Sequence, residues 1–120
     1  SAIKFFNTKI KILYTDTVYP LLSEMIHSFK DKRTEDLYHG HASNQVRRLS
    51  VELRLAALNK LDMIQAAVEL RDLRSPPGNR LAALGGDLKG WFSIRINDQW
   101  RIVFTWKNRT AHDVQLMDYH

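Results

Sequence analysis

The sequence predicts an α+β fold, with helices first, an antiparallel sheet after them, and the helices packed on one face of that sheet. Three observations predict it. From Val46 onward, apolar residues recur at a spacing near 3.6: Val46, Leu49, Leu53, Ala56 and Ala57,. In the second half, Trp91 to Ile96 and Gln99 to Trp106 alternate apolar and polar residues with a period of two,. Between these regions, Arg74-Ser75-Pro76-Pro77-Gly78-Asn79 stops a helix and predicts an extended loop,.

The elements follow in order. Residues 1–24 mix apolar residues with lysine, and Lys9 to Tyr14 reads as a β-strand before Pro20 interrupts,. They are assigned to an N-terminal extension or a cloning-derived segment, with Ser1-Ala2 as a scar. The domain is assigned to residues 25–120, beginning at Met25. Ile26 to Phe29 is a short strand candidate. Thr34 to Tyr38 makes a helical turn or two, closed by Gly40,. Ser43 caps a long helix that runs to about Ala67,. Its polar face carries Arg47, Arg48, Arg54 and Lys60, which reads as a solvated face,. After the breaker run come a strand over Arg80 to Leu84 and a turn at Gly85-Gly86-Asp87,. A hairpin follows with a two-residue turn at Asn97-Asp98,. A second turn over Lys107 to Thr110 leads to the last strand, Ala111 to Met117.

A chain of 120 residues allows one domain,. Apolar residues at 44% and charged residues at 26% place it with folded domains rather than disordered tails,. The net charge of +5 and pI near 9.7 are the footprint of a nucleic-acid binder,. An anionic membrane would attract the same charge, but no basic amphipathic helix with a Trp/Phe face is present. The absence of cysteine excludes disulfides, thiolate chemistry and Cys-based zinc sites,. No apolar stretch has the length of a signal peptide or membrane span, and a cytoplasmic location is expected,.

Basic residues gather in the sheet half: eight between Arg71 and Arg109, against three aspartates. Alternation puts Ser93 and Arg95 on one face and Ile94 and Ile96 on the other. In the partner strand Gln99, Arg101, Val103 and Thr105 share a face, while Trp100, Ile102, Phe104 and Trp106 point to the core. Arg95 and Arg101 therefore meet on one exposed, concave basic surface, able to grip phosphates. The alternative is that they pair with Asp87 or Asp118. The chain ends in Asp118-Tyr119-His120, and a histidine can move protons at neutral pH,. By itself a terminal histidine reads as a frayed residue. Cleavage of RNA through its own 2′-hydroxyl needs a base, an acid and a cation for the phosphorane; no metal or other cofactor is required. His27, His39, His41 and His112 show no metal-ligand spacing, and His39 and His41 read as solvated,.

The run Gly86-Asp87-Leu88-Lys89-Gly90-Trp91, then Ser93-Ile94, then Asn97-Asp98-Gln99-Trp100-Arg101-Ile102-Val103-Phe104, ending in Asp118-Tyr119-His120, resembles the plasmid-maintenance killer toxins, the HigB branch of the RelE/ParE superfamily. Met25 to Phe29 and Glu69 to Leu81 are similar to the same group, so the resemblance spans residues 25–120. It implies a RelE-like fold with helices on a twisted antiparallel sheet, and an mRNA endonuclease acting in the ribosomal A site. It also implies a helix-turn-helix antitoxin as partner. By position it makes His120 a proton-transfer residue and Arg101 the phosphorane stabiliser, with Tyr119 and Asp118 completing the catalytic motif. Arg95 matches a basic sheet position, and Arg80, Lys89, Gln99 and Arg74 are the further RNA-binding candidates. Many members carry a histidine and a lysine where this chain has Ala82 and Gly85, so weak activity is expected. Two rival readings share the fold: a ParE-like gyrase poison, and a non-catalytic RNA- or antitoxin-binding module.

Overall fold

Asp31 starts the first helix. Its carboxylate accepts the Thr34 amide at 2.7 Å, and α1 runs over Lys32–His39,. The computed structural model describes residues 26–119, so the strand expected at Lys9 to Tyr14, the start at Met25 and the terminal His120 lie outside the described residues. Gly40 closes α1 at φ 79°, its amide donating to the Asp36 and Leu37 carbonyls. A Cβ at Gly40 would meet nothing, so only the left-handed backbone opposes a side chain there. Gly40→Ala is expected to lower stability by about 1–2 kcal/mol, read as a shift of the urea midpoint at constant slope.

The long helix expected from Ser43 is two helices. Ser43 caps α2, Asn44–Arg47, accepting the Val46 amide at 3.3 Å. Ser50 caps α3, Val51–Ala66, accepting the Leu53 amide at 3.1 Å. The apolar spacing runs unbroken across the junction, because Val46, Leu49 and Leu53 are all buried. Periodicity therefore hid a break that the second serine cap creates. Two cations expected on a solvated face are tied down. Arg54 Nε donates to the Leu49 carbonyl at 3.1 Å, and Lys60 Nζ to Asn79 Oδ1 at 2.6 Å.

α3 carries two apolar stripes. Leu53, Ala57, Leu61 and Ile64 are buried against the sheet, while Val51, Leu55 and Leu58 follow a line roughly 130° away around the helix,.

The segment expected as an extended loop is two tight 3-10 turns, Leu70–Arg74 and Pro77–Asn79, joined through a cis Ser75–Pro76 bond. Asn79, fully buried, gathers them. Its Nδ2 donates to the carbonyls of Leu73 at 3.2 Å and Ser75 at 3.3 Å, while its Oδ1 accepts from Lys60 on α3.

The sheet is β1 (Ala82–Ala83), β2 (Phe92–Arg95), β3 (Trp100–Lys107) and β4 (Thr110–Asp118), in that order and antiparallel throughout. The strand expected over Arg80 to Leu84 shrinks to two residues because Arg80 takes a left-handed conformation, φ 46°, as it leaves the Pro77–Asn79 turn. Gly86–Leu88 form a 3-10 turn. At the β3–β4 turn Asn108 and Arg109 both have positive φ, as a two-residue hairpin of this twist needs,. Asp113, φ 52°, lies within the register shift between Val103 and Thr105,. Phe29 makes a parallel bridge to Val114, so the residues after Ile26 extend the sheet beyond β4. Thr34 continues this cover of the edge, its Oγ1 accepting the Leu116 amide at 2.9 Å,. The core lies between this sheet and the helices: Ile94, Ile102, Phe104, Val114 and Leu116 below, Leu37, Leu53, Ala57, Leu61 and Ile64 above.

Candidate functional site

The register brings the predicted arginines together. Arg95 lies opposite Arg101, Ser93 opposite Val103, and Ile94 opposite the core residue Ile102. The face expected to be open is partly closed, since Ser93 and Val103 are fully buried. The cause is Arg101 and the turn beside it. Arg101 Nε donates to Ser93 Oγ at 2.8 Å and its Nη2 to the Arg80 carbonyl at 2.7 Å, while the Pro77–Asn79 turn packs against β2.

Among the described residues both hydrogen-bond acceptors of Arg101 are neutral, so they position its charge without cancelling it. Of the carboxylates in this half, the one that Arg95 bonds is Asp98, three residues ahead in the turn. Burial holds the Arg101 guanidinium below its usual pKa. Tyr119 opposes that shift, whereas the nearby charges of Arg95 and Arg80 add to it. An arginine remains a cation at neutral pH even so.

The C-terminal residues reach this arginine through the hairpin. Its connection is Asn97-Asp98-Gln99, one residue longer than expected, because Asn97 Oδ1 accepts the amides of Gln99 at 2.9 Å and Trp100 at 2.8 Å,. Trp100 pairs with Asp118, the Tyr119 amide donates to the Gln99 carbonyl at 2.6 Å, and Gln99 Nε2 donates to Asp118 Oδ2 at 3.0 Å. The Tyr119 ring then lies 5.8 Å from the Arg101 guanidinium carbon and stays 42% exposed,. His120, the next residue, is outside the described residues.

Arg101, Tyr119, Asp118, Gln99, Arg95 and Arg80 thus form one cluster. Lys89 is exposed, just beyond the Gly86–Leu88 turn. Arg74 stands with Arg71 at an open groove of ≈ 610 Å³ whose wall includes Ala83, Phe92 and Trp106. Phe92 and Ala83 are register partners next along the strands from Ser93 and Ala82, so that groove belongs to the opposite face,. Sequence reading missed the holding partners of Arg101. Ser93 was legible as sharing its face, but a backbone carbonyl such as that of Arg80 leaves no residue signature. The histidines meet in ways that spacing hides: His27 and His112 rings are 4.3 Å apart, and His41 Nδ1 is 3.6 Å from Asp36 Oδ1.

An arginine held by neutral partners stands beside an exposed tyrosine on a small basic α+β module, an arrangement whose remaining N–H donors are of the kind that grip anions,. Comparison with known proteins gives this module its family. Residues 27–120 match the family described as RelE-like toxin of type II toxin-antitoxin system HigB. Toxin HigB-1 of Vibrio cholerae is 41% identical over 92 residues, 77% of this chain and 95% of that protein. Endoribonuclease HigB of Proteus vulgaris is 31% identical over 96 residues, 80% of this chain and 100% of that protein. An uncharacterized protein of Haemophilus influenzae is 40% identical over 57 residues, 48% of this chain and 56% of that protein. The chain belongs to the HigB family of RelE-like type II toxins. Its functional partner class is therefore an antitoxin. No helix among the described residues is long and apolar enough to cross a membrane.

Proposed function

We propose that this chain is a ribosome-dependent mRNA endonuclease of the bacterial cytoplasm, neutralised by a helix-turn-helix antitoxin. The observation that carries the reading is Arg101, fixed beside Tyr119 by two neutral acceptors, Ser93 and the Arg80 carbonyl. The relative from Proteus vulgaris that bears the name Endoribonuclease HigB supports the choice of reaction.

The step is internal transesterification. A base takes the proton of the 2′-hydroxyl, and that oxygen bonds to the adjacent phosphorus. The bond from phosphorus to the 5′ oxygen breaks, and an acid protonates the leaving oxygen. Arg101 stabilises the charge that grows on the phosphorane oxygens. His120 is the proposed proton-transfer residue, and Tyr119 stacks on a base or assists the proton. Gln99 and Asp118 orient this C-terminal segment. Arg80 and Arg95 hold flanking phosphates, with Lys89 as an outlying contact; Arg74, at the groove of the opposite face, is left out of this path,. Ala82, opposite Ser93 in β1, puts a methyl group where many family members carry a histidine. A proton-transfer group is missing from that wall, and the reading includes a slow enzyme.

Mapping mRNA 5′ ends in cells after brief induction tests this. New ends inside translated codons are expected for the wild type and should vanish in Arg101→Ala/His120→Ala. Growth arrest without new ends would refute the nuclease reading.

A further inference from the structure

The described residues leave three large apolar side chains exposed: Tyr119 at 42%, Val51 at 56% and Leu55 at 64%. Tyr119 belongs to the candidate site. Val51 and Leu55 stand together on the second stripe of α3, where they wall an apolar groove of ≈ 220 Å³ with Leu37, Ala42, Val46 and Leu58. From the geometry of this groove we propose that it is the docking site of the antitoxin, taking apolar anchor side chains of a segment that also carries a carboxylate. The inference rests on membership of a type II toxin family, not on the nuclease reading.

Four features favour that occupant. A type II toxin has a protein partner, and α3 offers a line of apolar residues at i, i+4 and i+7, the spacing that receives an amphipathic segment,. The first two residues of that line are exposed among the described residues, while Leu58 forms its floor against the core. The groove is smaller than the roughly 300–1,000 Å³ of small-molecule pockets, and suits protruding side chains. Arg54 lines it, and no carboxylate does, so the complementary partner is acidic,. Two exposed apolar residues side by side on an otherwise charged helix surface also mark an interaction site more than a solvated face. The buried stripe of α3 faces the sheet, whose far side carries Arg101. A partner on the outer stripe therefore meets a different surface from the one RNA would meet.

The test measures affinity of the purified cognate antitoxin for the full chain and for Leu55→Asp and Val51→Asp, by calorimetry. Both side chains point outward, so both variants should keep the wild-type circular dichroism. Binding is expected to weaken about 30-fold or more in each, the loss when a central apolar anchor is replaced. The chain has no cysteine, so Leu55→Cys provides one labelling site. It should react rapidly with a maleimide in the free protein and slowly in the complex. Unchanged affinity in both aspartate variants would overturn the proposal. So would slow labelling of the free chain, since residues 1–24 or a second copy would then cover the groove. Neither readout requires cleavage activity, so the docking proposal and the nuclease reading fail separately.

Discussion

Arg101→Ala is expected to lower the single-turnover rate of ribosome-bound mRNA cleavage by about 10²–10³-fold, the usual loss when one transition-state donor is removed. The size follows from how the side chain is held. Two of its nitrogens are committed to Ser93 Oγ and the Arg80 carbonyl, which fixes the plane of the guanidinium before substrate arrives. No reorganisation is left for the reaction to perform. Arg101→Lys keeps a cation but loses the planar fork that reaches both partners, so it should recover less than about a tenth of the lost rate. Stability should fall modestly in the alanine variant, by about 0.5–1.5 kcal/mol per bond lost. Rates measured well below the melting midpoint thus separate chemistry from unfolding. A rate within about threefold of wild type would remove Arg101 from the catalytic step and leave it a structural brace for Ser93.

Alternation and turn chemistry made the sheet half legible. Ile94, Ile102 and Phe104 were placed in the core from a period of two alone, and all three are fully buried. The shared face of Arg95 and Arg101 was legible from alternation, but their direct pairing comes from a turn of three residues instead of the expected two. The third turn residue is what sets that register, since a two-residue turn would put Arg95 opposite Trp100 and on the other face. Asn97 Oδ1 holds the longer turn by accepting the Gln99 and Trp100 amides. Capping chemistry was legible at Ser43 and Gly40 but not at Ser50, where a buried leucine on each side kept the helical period intact. The site was half legible. Its charged members were visible as residue types, and its C-terminal members through resemblance to a family. What holds Arg101 was not visible, since one holder is a backbone oxygen and the other a serine with no distinguishing neighbours. Lys89 and Arg74 show the limit of counting charge: both lie in the basic half, yet the first is exposed beyond the Gly86–Leu88 turn and the second faces another groove.

The most consequential residue outside the arginine cluster is Asn79, which the sequence shows only as the end of a Pro-Pro-Gly-Asn turn. It is fully buried and joins three segments: α3 through Lys60, the Leu70–Arg74 turn through the Leu73 carbonyl, and the following bend through the Ser75 carbonyl. Asn79→Ala removes both donors to those carbonyls and takes the acceptor from a lysine. Two ordinary hydrogen bonds and one charge-assisted bond, less some relaxation, give an expected loss of about 2–4 kcal/mol. For a domain of this size that lowers the melting midpoint by roughly 10–20 °C. Asn79→Asp should recover only the part owed to Lys60, because a carboxylate accepts from the ammonium but cannot donate to the two carbonyls. The effect should reach the chemistry as well. Arg80 is the next residue, and its carbonyl is what holds Arg101 Nη2. A loosened turn displaces that carbonyl, so cleavage measured below the new midpoint should fall by about tenfold or more, since small misplacements of a catalytic group are costly. A variant that melts far lower yet cleaves at the wild-type rate would show that Ser93 alone orients Arg101. The 76–81 segment would then serve the fold and not the site.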